Sequence, residues 1–174
     1  RLVGSEMCIR DSIKALSRLG ANIELKKGIV KVDGKNLRGN KLFLGGRHGS
    51  TVTGTSNAIM AAVLAPGLTT IDSSACEPEI SDLCSMLISM GAKISGVGSH
   101  RLEIEGVNKL SGCNHRVIPD RIEAATYAIA AAITQGEVTL NGAKSEHLGS
   151  FINVMQESGV SMDLEHTDQI KVYL

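Results

Sequence analysis

Leu87-Ile88-Ser89-Met90-Gly91-Ala92-Lys93-Ile94-Ser95 reads as the end of an amphipathic helix, a glycine stop and the start of a β-strand. The same passage occurs at Leu16-Ser17-Arg18-Leu19-Gly20-Ala21-Asn22-Ile23-Glu24 and at Met155-Gln156-Glu157-Ser158-Gly159-Val160-Ser161-Met162-Asp163. The anchoring glycines Gly20, Gly91 and Gly159 stand 71 and 68 residues apart, and Gly67 and Gly136, each closing an Ala-rich segment, stand 69 apart. A fixed period on this scale means that one supersecondary unit is the building block.

The unit is clearest at residues 41–107. A strand at 41–44 leads through a glycine- and hydroxyl-rich loop, 45–54, to a helix at 57–65 that Thr55 or Ser56 would cap. After Gly67 comes a strand at 68–71, then a helix opened by Glu77-Pro78-Glu79, with Pro and acids where the first turn favours them. Ile80, Leu83, Leu87 and Met90 give that helix one apolar face, and a hairpin of strands 93–95 and 102–104 closes the unit. The order is β-α-β-α-β-β. Residues 114–174 repeat it as a strand near 116–118, a helix at 121–134, a strand at 137–140, a helix at 146–158 and a hairpin at 161–174. Residues 13–34 supply only the second half: a helix at 13–19 and strands at 22–25 and 29–32 around Lys26-Lys27-Gly28. The first half of that unit is expected upstream. Residues 1–12 lack the expected strand and resemble a translated sequencing-adapter read-through, so they are expected to be a non-native leader.

The first helix of each unit, at 58–64 and 124–130, is apolar nearly all round and is expected to be buried on every side. The second is amphipathic. Ala-rich helices packed at the centre with sheets outside them would account for both, an α/β architecture.

Eighteen Lys and Arg balance 18 Asp and Glu, which argues against nucleic-acid or membrane-surface binding by bulk charge. The longest apolar runs fall well short of the ~20 residues of a spanning helix. Cys8, Cys76, Cys84 and Cys113 show no C-x-x-C spacing and read as free thiols of a reducing compartment. The five histidines form no metal-ligand pattern; His48 and His115 read as surface or satisfied side chains.

Two stretches combine charge with helix starts. Gly45-Gly46-Arg47-His48-Gly49-Ser50-Thr51-Val52-Thr53-Gly54-Thr55 offers amides, hydroxyls and one cation to an anion, yet is also an ordinary strand-to-helix turn and lacks the G-K-[ST] of a P-loop. Arg116-Val117-Ile118-Pro119-Asp120-Arg121-Ile122-Glu123 contains an N-cap and a capping box, but carries more charge than a cap requires.

Ala75-Cys76-Glu77-Pro78-Glu79-Ile80, Met90-Gly91-Ala92-Lys93-Ile94-Ser95-Gly96, Ile104-Glu105-Gly106-Val107 and His115-Arg116-Val117-Ile118-Pro119-Asp120-Arg121-Ile122-Glu123 together resemble the UDP-N-acetylglucosamine 1-carboxyvinyltransferases of bacteria, within the enolpyruvyl transferases. The resemblance covers residues 13–174. It implies an inside-out α/β barrel of β-α-β-α-β-β repeats around buried Ala-rich helices, with residues 13–174 forming most of one domain of two. It implies transfer of the enolpyruvyl group of phosphoenolpyruvate to the 3'-hydroxyl of UDP-N-acetylglucosamine with release of phosphate. It implies that no metal or organic cofactor takes part. It further implies a cytoplasmic enzyme of peptidoglycan synthesis, and so of cell-wall biogenesis, cell shape and cell division.

Carried over by position, Gly49, Ser50, Thr51 and Val52 match the segment at the nucleotide-sugar diphosphate. The family often has Lys where Gly49 stands, and Arg47 is the cation able to replace it. Asp120 and Arg121 match charged positions facing the interdomain cleft, and Glu77 and Glu79 an acidic pair at a helix start. The family's catalytic cysteine loop, uridine-holding stretch and second domain have no counterpart in the chain, and Cys8 lacks the flanking glycines of that loop. The chain is therefore expected to be an internal fragment, inactive alone, with no catalytic residue of its own. Two other readings are a shikimate-pathway enolpyruvyl transferase and a non-catalytic binding or scaffold module.

Overall fold

The computed structural model describes residues 3–47 and 49–174. His48 and the first two residues lie outside the described residues. The chain divides into two compact units, residues 1–116 and 117–174.

In the first unit a four-stranded sheet carries β3 (Lys41–Phe43), β6 (Leu68–Asp72), β8 (Arg101–Glu105) and β7 (Lys93–Ser95) in that order. β3 lies parallel to β6, whereas β6–β8 and β7–β8 are antiparallel. A parallel pair needs a crossover, and α2 (Val52–Ala62) supplies it. Helix α3 (Pro78–Ser89) joins β6 to the β7–β8 hairpin. Leu102 and Ile104 of β8 point inward while Arg101, Glu103 and Glu105 alternate outward. Inward residues meet Ala58, Ile59, Ala62 and Val63 of the α2 segment and Ile80, Cys84 and Leu87 of α3 in one core. Outside, Lys93–Glu105 at 2.8 Å and Arg101–Asp72 at 3.1 Å are exposed pairs worth little to stability.

The β-α-β-α-β-β order expected for 41–107 is present, with a two-residue pairing of β4 (Gly45–Gly46) and β5 (Gly49–Ser50) inside the first loop. A separate hairpin, β1 (Asn22–Lys26) and β2 (Ile29–Asp33), turns through Lys27 and Gly28, both at positive φ as a tight hairpin demands. Helix α1 (Val3–Arg18) begins ten residues earlier than the expected start at Ile13. No proline interrupts the run. Ser12 Oγ donates to the Cys8 carbonyl at 2.8 Å, and Asn57 Nδ2 donates to Ser12 Oγ at 2.9 Å, fastening α1 to α2.

The second unit has a three-stranded antiparallel sheet, β10 (Ser161–Asp163), β11 (Gln169–Tyr173) and β9 (Glu137–Asn141), with α4 (Arg121–Ile133) and α5 (Gly149–Glu157). Three expectations need correction here. Residues 116–118 form no strand: with no hydrogen-bonded neighbour in the sheet, and Pro119 withholding an N–H, nothing holds three residues extended in a ladder. The second helix opens at Gly149 and not at Glu146, because Ser145–His147 is a 3-10 turn. And α4 is not buried on every side. Its Ala128 and Ala131 enter the core, but Ile122, Tyr127, Ile129 and Ile133 are exposed. Met60 and Leu64 at the end of the first unit's Ala-rich segment are also half exposed. Among the described residues no helix is long and apolar enough to cross a membrane.

Backbone closeness holds the first unit together at Gly106, whose N–H donates to the Gly67 carbonyl at 3.0 Å while the Val107 N–H donates to that of Val63 at 2.9 Å. A Cβ at Gly106 would stand 1.8 Å from the Ala65 carbonyl oxygen. Gly106→Ala should lower stability by about 2 kcal/mol or more in urea unfolding, while Gly112→Ala, where nothing lies within 4 Å, stays within about 0.5 kcal/mol. Burial also pushes the Cys84 thiol up to about 11 from an ordinary 9.0. The folded state then holds a proton that the unfolded chain releases, so stability should fall between pH 9 and 11. Denaturant titrations across that window should give a steeper decline than in Cys84→Ala; equal slopes would remove the thiol as the cause.

Candidate functional site

Because β3 and β6 are parallel, the loops that follow them emerge at the same edge of the sheet. One is residues 44–51, leading into α2, and the other is residues 73–77, leading into α3. In the first loop the β4–β5 pair folds the glycines back on themselves. A Cβ on Gly45 would meet the Phe43 ring at 2.7 Å and the Ser73 Cβ at 3.0 Å, so the close approach of the two loops requires glycine there. Gly49 adopts φ +98°, a conformation glycine reaches without strain.

The expected cap of α2 is corrected. Thr51, not Thr55 or Ser56, is the N-cap, with an extended backbone and its Oγ1 accepting from the Gly54 N–H at 3.2 Å. Thr51 wins because the helix begins at Val52, which places Thr55 inside the first full turn, wholly buried. There its Oγ1 accepts the Ala75 N–H at 3.2 Å. One hydroxyl thus ties the start of α2 to the loop before α3.

That second loop is tightly held. Ser73 sits at φ +54°, uncommon for a residue with a side chain. The Ser74 N–H donates to the His100 carbonyl at 2.9 Å, and Ser74 Oγ donates to that of Ala75 at 3.1 Å. His100 Nδ1 lies 3.0 Å from the Ser74 carbonyl oxygen and 3.3 Å from Cys76 Sγ. Burial, with the Glu77 carboxylate adding to it, pushes the Cys76 thiol up and keeps it protonated at neutral pH. Glu77 is the N-cap of α3 with Pro78 at the first helical position, and Glu79 lies in the first turn. Glu77 Oε2 is buried and has no hydrogen-bond partner among the described residues. A buried carboxylate oxygen in that state is an acceptor available to a ligand hydroxyl.

Phe43, Gly45, Gly46, Gly49, Ser50 and Ser73 line an open depression of about 390 Å³ at this edge. Arg47 stands exposed on the turn between β4 and β5. Of the residues expected from sequence, the first unit therefore holds Arg47, Gly49, Ser50 and Thr51 on one loop and Val52 at the start of α2, with Glu77 and Glu79 at the start of α3. Val52 packs against the core, and Thr51 spends its hydroxyl as a cap and its N–H on the Leu44 carbonyl at 3.4 Å, so the remaining backbone groups are what this loop offers. Phe43 and Ser73 were not expected, and Thr55, expected as a cap, instead ties the two loops. An apolar residue in a short strand and a Ser-Ser pair before a helix carry no composition signal strong enough to single them out.

In the second unit Asp120 caps α4, its Oδ1 accepting from the Ile122 N–H at 2.8 Å and the Glu123 N–H at 3.1 Å. Arg121 and Glu123 occupy the first turn. Beside them Pro119, Tyr127, Leu140, Asn141 and Ala143 help line a cleft of about 420 Å³. Among the described residues no group of three or more His, Cys, Asp or Glu side chains gathers closely enough to hold a metal ion.

The tie between the two loops of the first unit is open to measurement. Thr55→Val should leave the buried Ala75 N–H unsatisfied, costing about 1–3 kcal/mol in denaturant unfolding and speeding exchange of the Ala75 amide. Thr55→Ser should retain most of both.

The sequence profile described as EPSP synthase (3-phosphoshikimate 1-carboxyvinyltransferase) matches residues 8–173. The chain is 50% identical over 153 residues to the UDP-N-acetylglucosamine 1-carboxyvinyltransferase of Methylacidiphilum infernorum, an overlap covering 88% of this chain and 36% of the relative. It is 47% identical over 148 residues to the enzyme of that name from Akkermansia muciniphila, covering 84% and 35%. The chain thus spans about a third of the length of the curated relatives it matches. Among solved structures, the enolpyruvyl transferase NikO from Streptomyces tendae superposes with a TM-score of 0.79 at 18% identity, covering 94% of this chain and 41% of that one. EPSP synthase from Acinetobacter baumannii superposes with a TM-score of 0.58 at 24% identity, covering 95% and 39%. At these identities the superpositions speak for the fold alone.

Proposed function

The chain belongs to the EPSP synthase (3-phosphoshikimate 1-carboxyvinyltransferase) family and has the enolpyruvyl transferase fold, and from that premise we propose that it is part of a UDP-N-acetylglucosamine 1-carboxyvinyltransferase. The observation that carries the choice of acceptor is 44–50% identity to several relatives bearing that name. In the proposed reaction the 3'-hydroxyl of UDP-N-acetylglucosamine adds to C2 of phosphoenolpyruvate while C3 takes a proton, giving a tetrahedral intermediate. Loss of a C3 proton and departure of phosphate from C2 then restore the enolpyruvyl double bond on the sugar oxygen. The product is the first committed intermediate of peptidoglycan synthesis, which places the enzyme in the cytoplasm and in cell-wall growth and division.

The residues of this chain take binding roles. The amides of Gly49, Ser50 and Val52 face a diphosphate, favoured by the positive end of α2, while the Thr51 N–H holds the turn through the Leu44 carbonyl and Arg47 adds a cation beside them. Glu77, with its unpartnered buried oxygen, accepts from a substrate hydroxyl, and Glu79 supports that helix start. Asp120 and Arg121 contribute charge at the start of α4. A general acid for C3 comes from elsewhere in the enzyme, and loss of such a group typically costs 10²- to 10⁴-fold.

One observation favours a second reading. The matching family profile carries the EPSP synthase description, so 3-phosphoshikimate is the competing acceptor. Ligand binding decides between the two. The 174-residue chain should release no phosphate from phosphoenolpyruvate with either acceptor, and should bind UDP-N-acetylglucosamine weakly, in the millimolar range, with no response to shikimate 3-phosphate. Binding of shikimate 3-phosphate alone would transfer the assignment to the other branch. Turnover by the chain alone would overturn the placement of the general acid outside it.

A further inference from the structure

The segment between the last strand of the first unit and the first helix of the second has no regular secondary structure, yet it is held at regular intervals. Leu110 packs against the core. The Ser111 N–H and Oγ both donate to the Met90 carbonyl, at 2.8 and 3.0 Å. Cys113 Sγ points at the Met86 carbonyl at 3.9 Å, and His115 Nε2 lies 2.9 Å from Asp82 Oδ1. Each step of two residues along the segment meets a step of four back along α3 and its cap. Two extended residues advance about 6.6 Å and four helical residues about 6 Å, so the two repeats stay in register and the segment runs antiparallel to the helix.

The three ties are unequal. The Ser111 bonds use a carbonyl at the helix C-cap, where such groups lack a partner within the helix. The thiol contact is weak. The His115–Asp82 pair is side chain to side chain, with only 17% and 14% of the two exposed, and it is the last tie before Arg116. An ionised carboxylate only accepts, so Nε2 carries the proton, and a charge-assisted bond in this sheltered position holds far better than an exposed one.

We propose that Asp82 is a positioning residue: through His115 it clasps the segment to α3 and fixes the point at which Arg116 and the charged stretch after it leave the first unit. The proposal rests on the reading of Asp120 and Arg121, in the stretch that follows, as binding residues. Asp82 touches no substrate itself. Its effect is on the hold of residues 111–116 against α3.

The test uses the 174-residue chain, followed residue by residue by NMR with millimolar UDP-N-acetylglucosamine as the probe. In Asp82→Ala, amide exchange should rise roughly ten-fold or more at residues 112–117 and stay unchanged in β6 and β8. The His115 ring should lose its fixed Nε2–H tautomer. Shifts induced by the nucleotide sugar should shrink at residues 116–123 but persist at 49–52. Asp82→Asn, which keeps an acceptor, should fall near the parent. His115→Ala leaves α3 intact and should reproduce Asp82→Ala, which covers the case of a helix that fails to form. Unchanged exchange at 112–117 in both alanine variants would overturn the clasp, as would an equal rise throughout the sheet. If the nucleotide sugar moves no amide in the parent chain, the functional reading fails and the positioning role with it, even where exchange reveals the clasp.

Discussion

The parallel pairing of β3 with β6 is the constraint on which the first unit depends. A parallel pair cannot be closed by a tight turn, so the chain must cross over the sheet, and α2 is that crossover. The same pairing brings the loops after both strands to one edge. Everything offered there to a ligand follows: the amide-rich hairpin at 45–50, the start of α2 and the carboxylates opening α3. Small residues make the arrangement compact. Gly45 lets one loop approach the other, and Gly106 lets the closing strand pass over the Ala65 carbonyl.

Polar chemistry inside the unit is arranged around the same edge. Thr55 and Ser74 are fully buried, and each spends its oxygen on the loop before α3. Burying such groups without partners would be unfavourable, so their bonds specify one loop conformation, including the positive φ of Ser73. Glu77 Oε2 breaks that rule, being buried and unpartnered at the rim. A departure from complete satisfaction at a site edge is where ligand chemistry is expected. The exposed pairs across the outer face, such as Lys93–Glu105, keep that face in water and say little about stability.

Much of the fold was legible where a local rule acts alone. Gly91 at φ +102° stops a helix, Pro78 opens one, and Lys27-Gly28 turns a hairpin, each for steric reasons confined to a few residues. The order of elements at 41–107 followed from those signals and the repeat. What failed depended on partners not visible locally. Thr51 and Thr55 are both reasonable caps, and only the packing of Thr55 against Ala75 decides between them. Residues 116–118 are β-like in type, but a strand needs a neighbour. The apolar α4 was expected to be buried, whereas its unit offers core to Ala128 and Ala131 and leaves Ile122 and Ile133 outside. The loop at residues 45–55 stood out by its glycines and hydroxyls, and the narrower choice of 49–52 came from the resemblance alone; Ser73 and Phe43, which line the same depression, carried no such signal, because their proximity came from sheet pairing.

The central claim is that the edge formed by the two strand-to-helix loops receives the diphosphate of a nucleotide sugar through backbone amides. A crystal of the 174-residue chain soaked with UDP-N-acetylglucosamine addresses it directly. Diphosphate density against the amides of Gly49, Ser50 and Val52, with a sugar hydroxyl reaching toward Glu77, is the predicted result. Density confined instead to the cleft bounded by Lys14, Arg18 and Lys41 between α1 and β3, with the 45–51 loop vacant, would contradict it.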